Sequence, residues 1–596
     1  MNRRTFLAYG MEAASAGLLG KGMFGSPLLR QDGLVPKIVP MLYGVPLPET
    51  DLDAWFAKMN TWGVKRWMPF GTPDQACYQN LHCAPRSESA PFLQDAWPGF
   101  RQYIDVKATA AHEARVRKMM GLCEQHGIEF WYHLPFPIFP SLRGEIIQKA
   151  APEFFETGRF TLDQPRISEL LKAEIRTLKK ALPSLRGISL WMTEGTIPGF
   201  LNNLAGDEIE NNTKWQTPIL KAFDEVTREL GIEGMFFAHN YLQTVRTHRN
   251  VFKMAAGFPR LTVMDDITWP EEDMQHPFLG YLPEPDQKLM LSSNPVAVNC
   301  LLDTEYIGEG VLPSVYPRWW QYNVREAVRS GVKVAMGRVF RWDAGMTDRN
   351  FNRLNAHIFT WLCYRPDADL RGLLNDAAKE MFGPKIQPRL MEILWETEPM
   401  VKEITAVNGV DVFDHSRFPR PIYLDVLYTP QNNAMKAVDD LFSPPGARLY
   451  PPLTDALNNY KQWRWQNKTV SLPAESYIQS KKDAAAWVAR VLPEVRSLAQ
   501  QLSPSHRDLF VRGYELLDAA AKGMELFVEA ATLHYEWAHA KTINDHHARE
   551  QFDGIAARFR TLANEVPENP FLYKERMISF ADFLDHDLPR ISRKRG

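Results

Sequence analysis

Between Lys37 and about Leu370 the chain alternates short apolar, β-branched runs with longer segments of helical spacing, and no other feature constrains the fold as strongly. Strands separated by helices pair in parallel, because a parallel neighbour is reached only through a crossover long enough to hold a helix. Eight candidate strands can be named: Ile38–Val45, Val64–Phe70, Ile128–Leu134, Gly187–Met192, Gly234–Asn240, Leu261–Asp265, Val298–Asp303 and Lys333–Val339. Leu52, Trp55, Phe56 and Met59 fall at helical spacing within Asp51–Trp62, and helices are also expected over Ala110–His126, Arg166–Leu182 and Thr217–Leu230. The count predicts an α/β fold, a (β/α)8 barrel of the TIM type, with catalytic groups at the carboxyl ends of the strands. A Pro- and Ser-rich excursion from Gly71 to about Val106 is expected to form a wall of that end.

After about Asp367 the strand signals fade and helical patterns dominate. In Asp508–His539 the residues Phe510, Tyr514, Leu517, Ala521, Met524, Val528 and Ala531 fall three or four apart and make one apolar stripe. The expected organisation is an export signal and linker over residues 1–30, the barrel over 36–370, and a helical domain over 371–596. The helical stripes serve either as internal core or as a homodimer surface. Arg3-Arg4 ahead of an Ala/Gly-rich stretch resembles a twin-arginine signal, so a periplasmic or extracellular location is expected. Elsewhere no uncharged apolar run reaches about 18 residues, so no membrane span is expected.

A net charge of −2 without a basic stripe lacks the electrostatic footprint of a nucleic-acid binder. Five cysteines, odd in number and mostly far apart, give neither a disulfide framework nor a zinc motif; Cys77 and Cys83 are a bridge or two thiols. No Walker loop, G-x-G-x-x-G or G-x-S-x-G elbow is present, and His133, His239 and a carboxylate lack the short spacing of a metal set. No cofactor or metal is expected.

The strand ends carry the chemistry. Glu194 follows the fourth strand between Trp191 and Gly195, and Glu305 follows the seventh beside Tyr306. Cleaving a glycosidic bond takes one carboxyl to protonate the leaving oxygen and another to activate water or attack the anomeric carbon. Apolar neighbours raise a carboxyl pKa, as an acid requires. Asp265 and Asp266 end the sixth strand, where alternation sends only one to the pocket. His133, His239, Asn240, Trp269 and Arg338 complete the ring; the two histidines and the amide bond either sugar hydroxyls or local backbone. Seventeen tryptophans include flat rings suited to sugar faces, Trp191 among the candidates, although most belong to packing.

At these residues the chain resembles the glycoside hydrolase family 67 α-glucuronidases. Glu194-Gly195 and Glu305-Tyr306-Ile307-Gly308 look like the family's acid and base segments, and Asp266-Ile267-Thr268-Trp269 ahead of His276-Pro277 looks like a third. The similarity covers roughly Gly158 to Gly383. It implies Glu194 as general acid, Glu305 as base, and inversion at the anomeric carbon. The family's base aspartate aligns with Thr268, which leaves Asp265 or Asp266 to substitute or Glu305 to act without it. Its carboxylate-binding lysines align with Leu190 and Val263, and its arginine aligns near His239, leaving Arg338 or Arg341 as replacement cations. The expectation is an exported hydrolase of plant or algal oligosaccharides, with a non-catalytic carbohydrate-binding barrel as the alternative.

Overall fold

The computed structural model describes residues 34–44, 51–69, 106–136, 164–191, 213–237, 252–265, 284–302, 307–340, 350–407, 474–534, 542–569 and 571–587, with residues 152, 155–156, 159–160, 304, 410–411, 413, 416–419 and 536–537. The chain divides into two units, Met1–Leu34 and Val35–Gly596, and the architecture below belongs to the second. The expected export signal and the excursion between the second and third strands lie outside the described residues.

Eight parallel strands close into a barrel: β1 (Val39–Gly44), β2 (Arg66–Pro69), β3 (Glu129–Pro135), β4 (Leu185–Trp191), β5 (Glu233–Phe237), β6 (Thr262–Asp265), β7 (Val296–Cys300) and β8 (Val334–Phe340). Neighbours in sequence are neighbours in space, and β1 pairs with β8 from Val39 opposite Val334 onward. Between strands run α1 (Leu52–Trp62), α2 (Val106–Gln125), α3 (Gln164–Ala181), α4 (Thr213–Glu229), α5 (Glu284–Ser293) and α6 (Pro317–Arg329). The Asp51 carboxylate accepts from the Ala54 N–H to start α1, and Gly63, at φ 81°, ends it in the left-handed conformation that glycine tolerates.

The pleat sends alternate side chains inward. Met41, Tyr43, Met68, Trp131, Met235, Phe237, Met264, Ala297, Val334 and Met336 fill the barrel, so its interior is a packed core rather than a pore. Trp131 is the largest element of that packing. Its ring occupies the space a side chain would need at its register partner Gly187, where a Cβ would stand 2.7 Å from the indole. At the amino-terminal end Arg66 lies 4.8 Å from the centre of the Trp131 ring and pairs with Glu129 at 2.8 Å and Glu233 at 3.0 Å. Arg186 reaches the same two carboxylates, so charges of alternating sign from β2, β3, β4 and β5 cap this end.

After β8 come α7 (Asn352–Tyr364), α8 (Leu370–Phe382) and α9 (Pro388–Thr405), then α10 (Ala474–Leu498), α11 (Pro504–His534), α12 (Asp545–Glu565) and α13 (Tyr573–Asp582). The stripe read from the sequence lies on α11, and its members from Phe510 to Ala531 are all buried within the chain. Phe510 packs edge-on against Phe351, with ring centres 5.2 Å apart, and the Thr397 and Tyr514 hydroxyls meet at 2.6 Å to join α9 to α11. Among the described residues, no helix is long and apolar enough to cross a membrane.

Glu380 ties the barrel's first helix to α7 and α8. Its carboxylate takes Lys58 at 2.7 Å, His357 Nδ1 at 3.0 Å and the Trp62 indole N–H at 3.2 Å. Burial alone would raise this carboxyl, but the hydrogen bonds and charges of His357 and Lys58 prevail and hold it at about 2, against an ordinary 4.5. A depressed folded-state value stabilises the fold above the unfolded value and is lost as pH falls towards the folded one.

Two predictions follow from this packing. Gly187→Ala should cost about 1–3 kcal/mol in chemical denaturation followed by tryptophan fluorescence, because the added methyl overpacks Trp131. Glu380→Gln should cost about 3 kcal/mol at pH 7, roughly 1.4 kcal/mol per pKa unit, and should flatten the loss of stability between pH 4.5 and 2 in acid titrations.

Candidate active site

Polar groups gather at the carboxyl-terminal end of the barrel, above the apolar layers. Tyr43 on β1 donates its hydroxyl to Asn299 Oδ1 on β7 at 2.7 Å, and its register partner on β8 is Arg338. Arg338 shares the inward parity of Val334 and Met336 and is 7% exposed. On the other side His133 on β3 stands opposite Ser189 on β4, both buried. An apolar barrel core carries such groups only at a cost, which hydrogen bonding or a ligand offsets.

Three of the side chains read from the sequence are placed here. His133 packs its ring 5.4 Å from Trp191 and 6.2 Å from Phe237. Burial alone pushes its imidazole down to about 3, so the ring is neutral at ordinary pH. Trp191 closes β4, its ring tilted 58° to that of Phe237 with centres 6.0 Å apart, and is half-buried. Arg338 is the inward-facing cation of β8. Asp265 is the last residue of β6, in register with Val298. Glu194, His239, Asn240, Asp266, Trp269, Glu305 and Tyr306 lie outside the described residues, as does Arg341. Their positions in the chain are nonetheless bounded: Glu194 comes three residues after the end of β4, and Glu305 sits between the described Thr304 and Ile307.

Leu190 and Val263, aligned above with carboxylate-binding lysines, occupy the alternate positions of β4 and β6. Both are buried on the side away from the barrel interior, between inward Ser189 and Trp191 in one case and Thr262 and Met264 in the other. A lysine at either place would face the helical layer rather than the mouth.

The loop from β7 to α6 is held by side chains that the reading of strand ends did not pick out. Asn355 of α7, fully buried, donates to the carbonyls of Ser314 at 2.8 Å and Leu302 at 3.4 Å. Its carbonyl oxygen accepts from the Tyr316 N–H at 3.1 Å and the Trp320 indole at 3.0 Å. One amide thus satisfies its full set of donors and acceptors while stitching the loop to α7. Asn350 and Asn352 bond the same loop at Glu309 and Thr304. The one trace of them in the sequence is three asparagines within six residues, at positions 350, 352 and 355. Among the described residues no three His, Cys, Asp or Glu side chains form a metal-ligand set.

No family model matches the chain, and no curated protein matches it in sequence. Solved structures do match in shape. A GH138 enzyme targeting pectin rhamnogalacturonan II aligns with a TM-score of 0.57 at 12% identity, over 94% of this chain and 84% of the other. A mutant of the O-GlcNAc hydrolase of Thermobaculum terrenum aligns with a TM-score of 0.41 at 10% identity, over 94% and 96%. At 12% identity the first of these likenesses establishes a shared fold and nothing finer, and neither neighbour bears on the family 67 resemblance.

The environment of His133 makes a prediction. Its imidazole should show no nitrogen chemical-shift step between pH 8 and 5 in the folded protein. Since the unfolded chain takes up that proton near 6.5, stability carried by His133 is complete above that pH and declines as pH falls towards 3. A titration step near 6.5 would show the ring to be hydrated.

Proposed function

We propose that this chain is a glycoside hydrolase acting on a plant or algal oligosaccharide, with Glu194 as general acid and Glu305 as base, assisted by Asp265 or Asp266. The observation that carries the reading is the place of the two glutamates. In the sequence Glu194 follows β4 and Glu305 follows β7, two strands of a closed parallel barrel, a fold that keeps its catalytic groups in the segments after its strands. Strands β5 and β6 separate β4 from β7 in the ring. The half-buried Trp191 ring offers an apolar face for a sugar with neutral His133 beside it, and Tyr43 and Asn299 add polar groups on the other side of the barrel.

In this reading the Glu194 carboxyl protonates the leaving oxygen while Glu305 takes a proton from the attacking water, with inversion and about 6.5–9.5 Å between the carboxyl groups. The GH138 neighbour's target puts pectin fragments on the substrate panel. The Arg3-Arg4 pair supports export to the compartment where such glycans are met. Thr268, at the place of the aligned base aspartate, favours a second reading in which the barrel binds carbohydrate without turning it over.

The deciding measurement is hydrolysis of pectic, hemicellulosic and algal oligosaccharides by the parent protein, Glu194→Gln and Glu305→Gln. Each variant should lose at least about 100-fold in kcat, the lower range for a displaced general acid or base. Full activity in both ends the assignment. Glycan binding by the parent and both variants, with no turnover by any, establishes the binding protein.

A further inference from the structure

Ser189, on the inward side of β4, is fully buried, and its hydroxyl has no hydrogen-bond partner. Among the described residues no other buried serine or threonine hydroxyl lacks one. Thr360 donates to the Ala356 carbonyl at 2.7 Å, Thr397 to Ile393 at 2.6 Å and Thr405 to Val401 at 3.1 Å, and Ser416 accepts the Gly308 N–H at 2.6 Å. The three threonines are helical, where the carbonyl four residues back lies within reach. A strand in mid-sheet offers no such acceptor, because its carbonyls are engaged by the neighbouring strands. Alanine at this position would fill nearly the same space without the loss of hydration that an unpaired buried hydroxyl suffers. Packing alone therefore gives no reason for a serine here.

The surroundings say what the hydroxyl suits. Ser189 is in register with His133 on β3 and Met235 on β5, and Trp191 is the next residue on the same side of β4. One layer below, the Trp131 indole fills the space over Gly187, so Ser189 stands where the packed core ends and the carboxyl-terminal mouth begins. The inward residues His133, Ser189, Trp191, Met235 and Phe237 carry no charge, since burial keeps the His133 imidazole unprotonated. Arg338, the inward cation of β8, lies three strands from β3 and four from β4 around the ring. A group bound on this wall meets a hydroxyl, a neutral imidazole and aromatic rings. That is the chemistry of an uncharged hydroxyl on a carbon ring, and a carboxylate or phosphate would lack a counter-charge there.

We propose that Ser189, with His133 beside it, forms a subsite for one uncharged sugar hydroxyl, reached when the half-buried Trp191 ring above it turns aside. The proposal rests on the reading of the barrel as a carbohydrate-handling protein and is independent of which carboxyl groups act. Ser189 is on this view a specificity-determining residue, because a sugar without that hydroxyl forgoes the bond.

Isothermal titration calorimetry of the parent chain with pectic, hemicellulosic and algal oligosaccharides identifies the tightest ligand of the panel. Ser189→Ala should weaken that ligand about 3- to 10-fold, the contribution of one uncharged hydrogen bond, while its Tm without glycan does not fall. Thr360→Val removes a buried hydroxyl that is bonded within α7, and should do the reverse, lowering Tm with affinity unchanged. A binding role and a structural role thus move the two readouts in opposite ways. A crystal structure with the same glycan should place one of its hydroxyl oxygens about 2.5–3.0 Å from Ser189 Oγ. Unchanged affinity in Ser189→Ala, a loss of Tm in that variant, a water molecule instead of the glycan at Ser189 Oγ, or a parent chain that binds nothing in the panel each overturns the proposal. Glu194→Gln and Glu305→Gln, titrated and assayed alongside, keep the two claims apart. Full hydrolytic activity in both removes the catalytic assignment and leaves the subsite, whereas their inactivity beside unweakened binding by Ser189→Ala removes the subsite alone.

Discussion

The pairing of β1 with β8 is the contact on which the rest depends. It turns an open sheet with two unpaired edges into a ring with none, and it brings eight carboxyl ends to one rim. The closure is reinforced from outside: the Lys37 and Ile38 amides both donate to the Cys363 carbonyl on α7, and the Val39 amide donates to Lys333 at the start of β8. Glu380 strengthens the same seam by joining α1 to α7 and α8 through Lys58, Trp62 and His357.

The two ends of the barrel solve opposite problems. At the amino-terminal end Arg66, Arg186, Glu129 and Glu233 alternate in sign and neutralise one another, and Arg66 also covers the Trp131 face. At the carboxyl-terminal end His133, Ser189, Asn299 and Arg338 are buried above the apolar layers. Polar groups buried there are costly for a core and suited to orienting a ligand. The burial that holds His133 neutral would also lower the local dielectric around any carboxyl group placed near it.

The helices beyond the barrel are coupled to this end rather than appended to it. Phe510 against Phe351, Gly513 against Val311 and Ser416 against Gly308 all bear on the chain between β7 and α7. The stripe on α11 fills that interface and the neighbouring bundle, which is why its residues are buried within a single chain. Glu398 shows a similar coupling on the far side of the loop: its buried carboxylate, raised by desolvation, accepts from the Arg318 and Trp319 amides at the start of α6.

The sequence alone determined the barrel, because period-two and period-3.6 apolar patterns are local and each strand reveals itself within a few residues. The eight strands appear at the expected places, with ends moved by at most three residues; β7 ends at Cys300 because the chain turns at Leu301 and Leu302. Helices α5 and α6 went unread, since α5 is short and α6 begins at a proline with a Trp-rich first turn. Strand-end reading put His133, Trp191 and Arg338 at the carboxyl-terminal end, where the structure has them, since residues at strand ends are legible once strands are placed. The tertiary structure alone decided which side of each strand faces inward, and so that Leu190 and Val263 look away from the mouth. It alone brought Thr304, Asn350, Asn352, Asn355 and Ser416 together across up to 112 residues of chain, as 416 minus 304 gives. Hydrogen bonds between distant side chains leave no periodic trace, because what selects those residues is one shared buried space rather than their spacing in the chain.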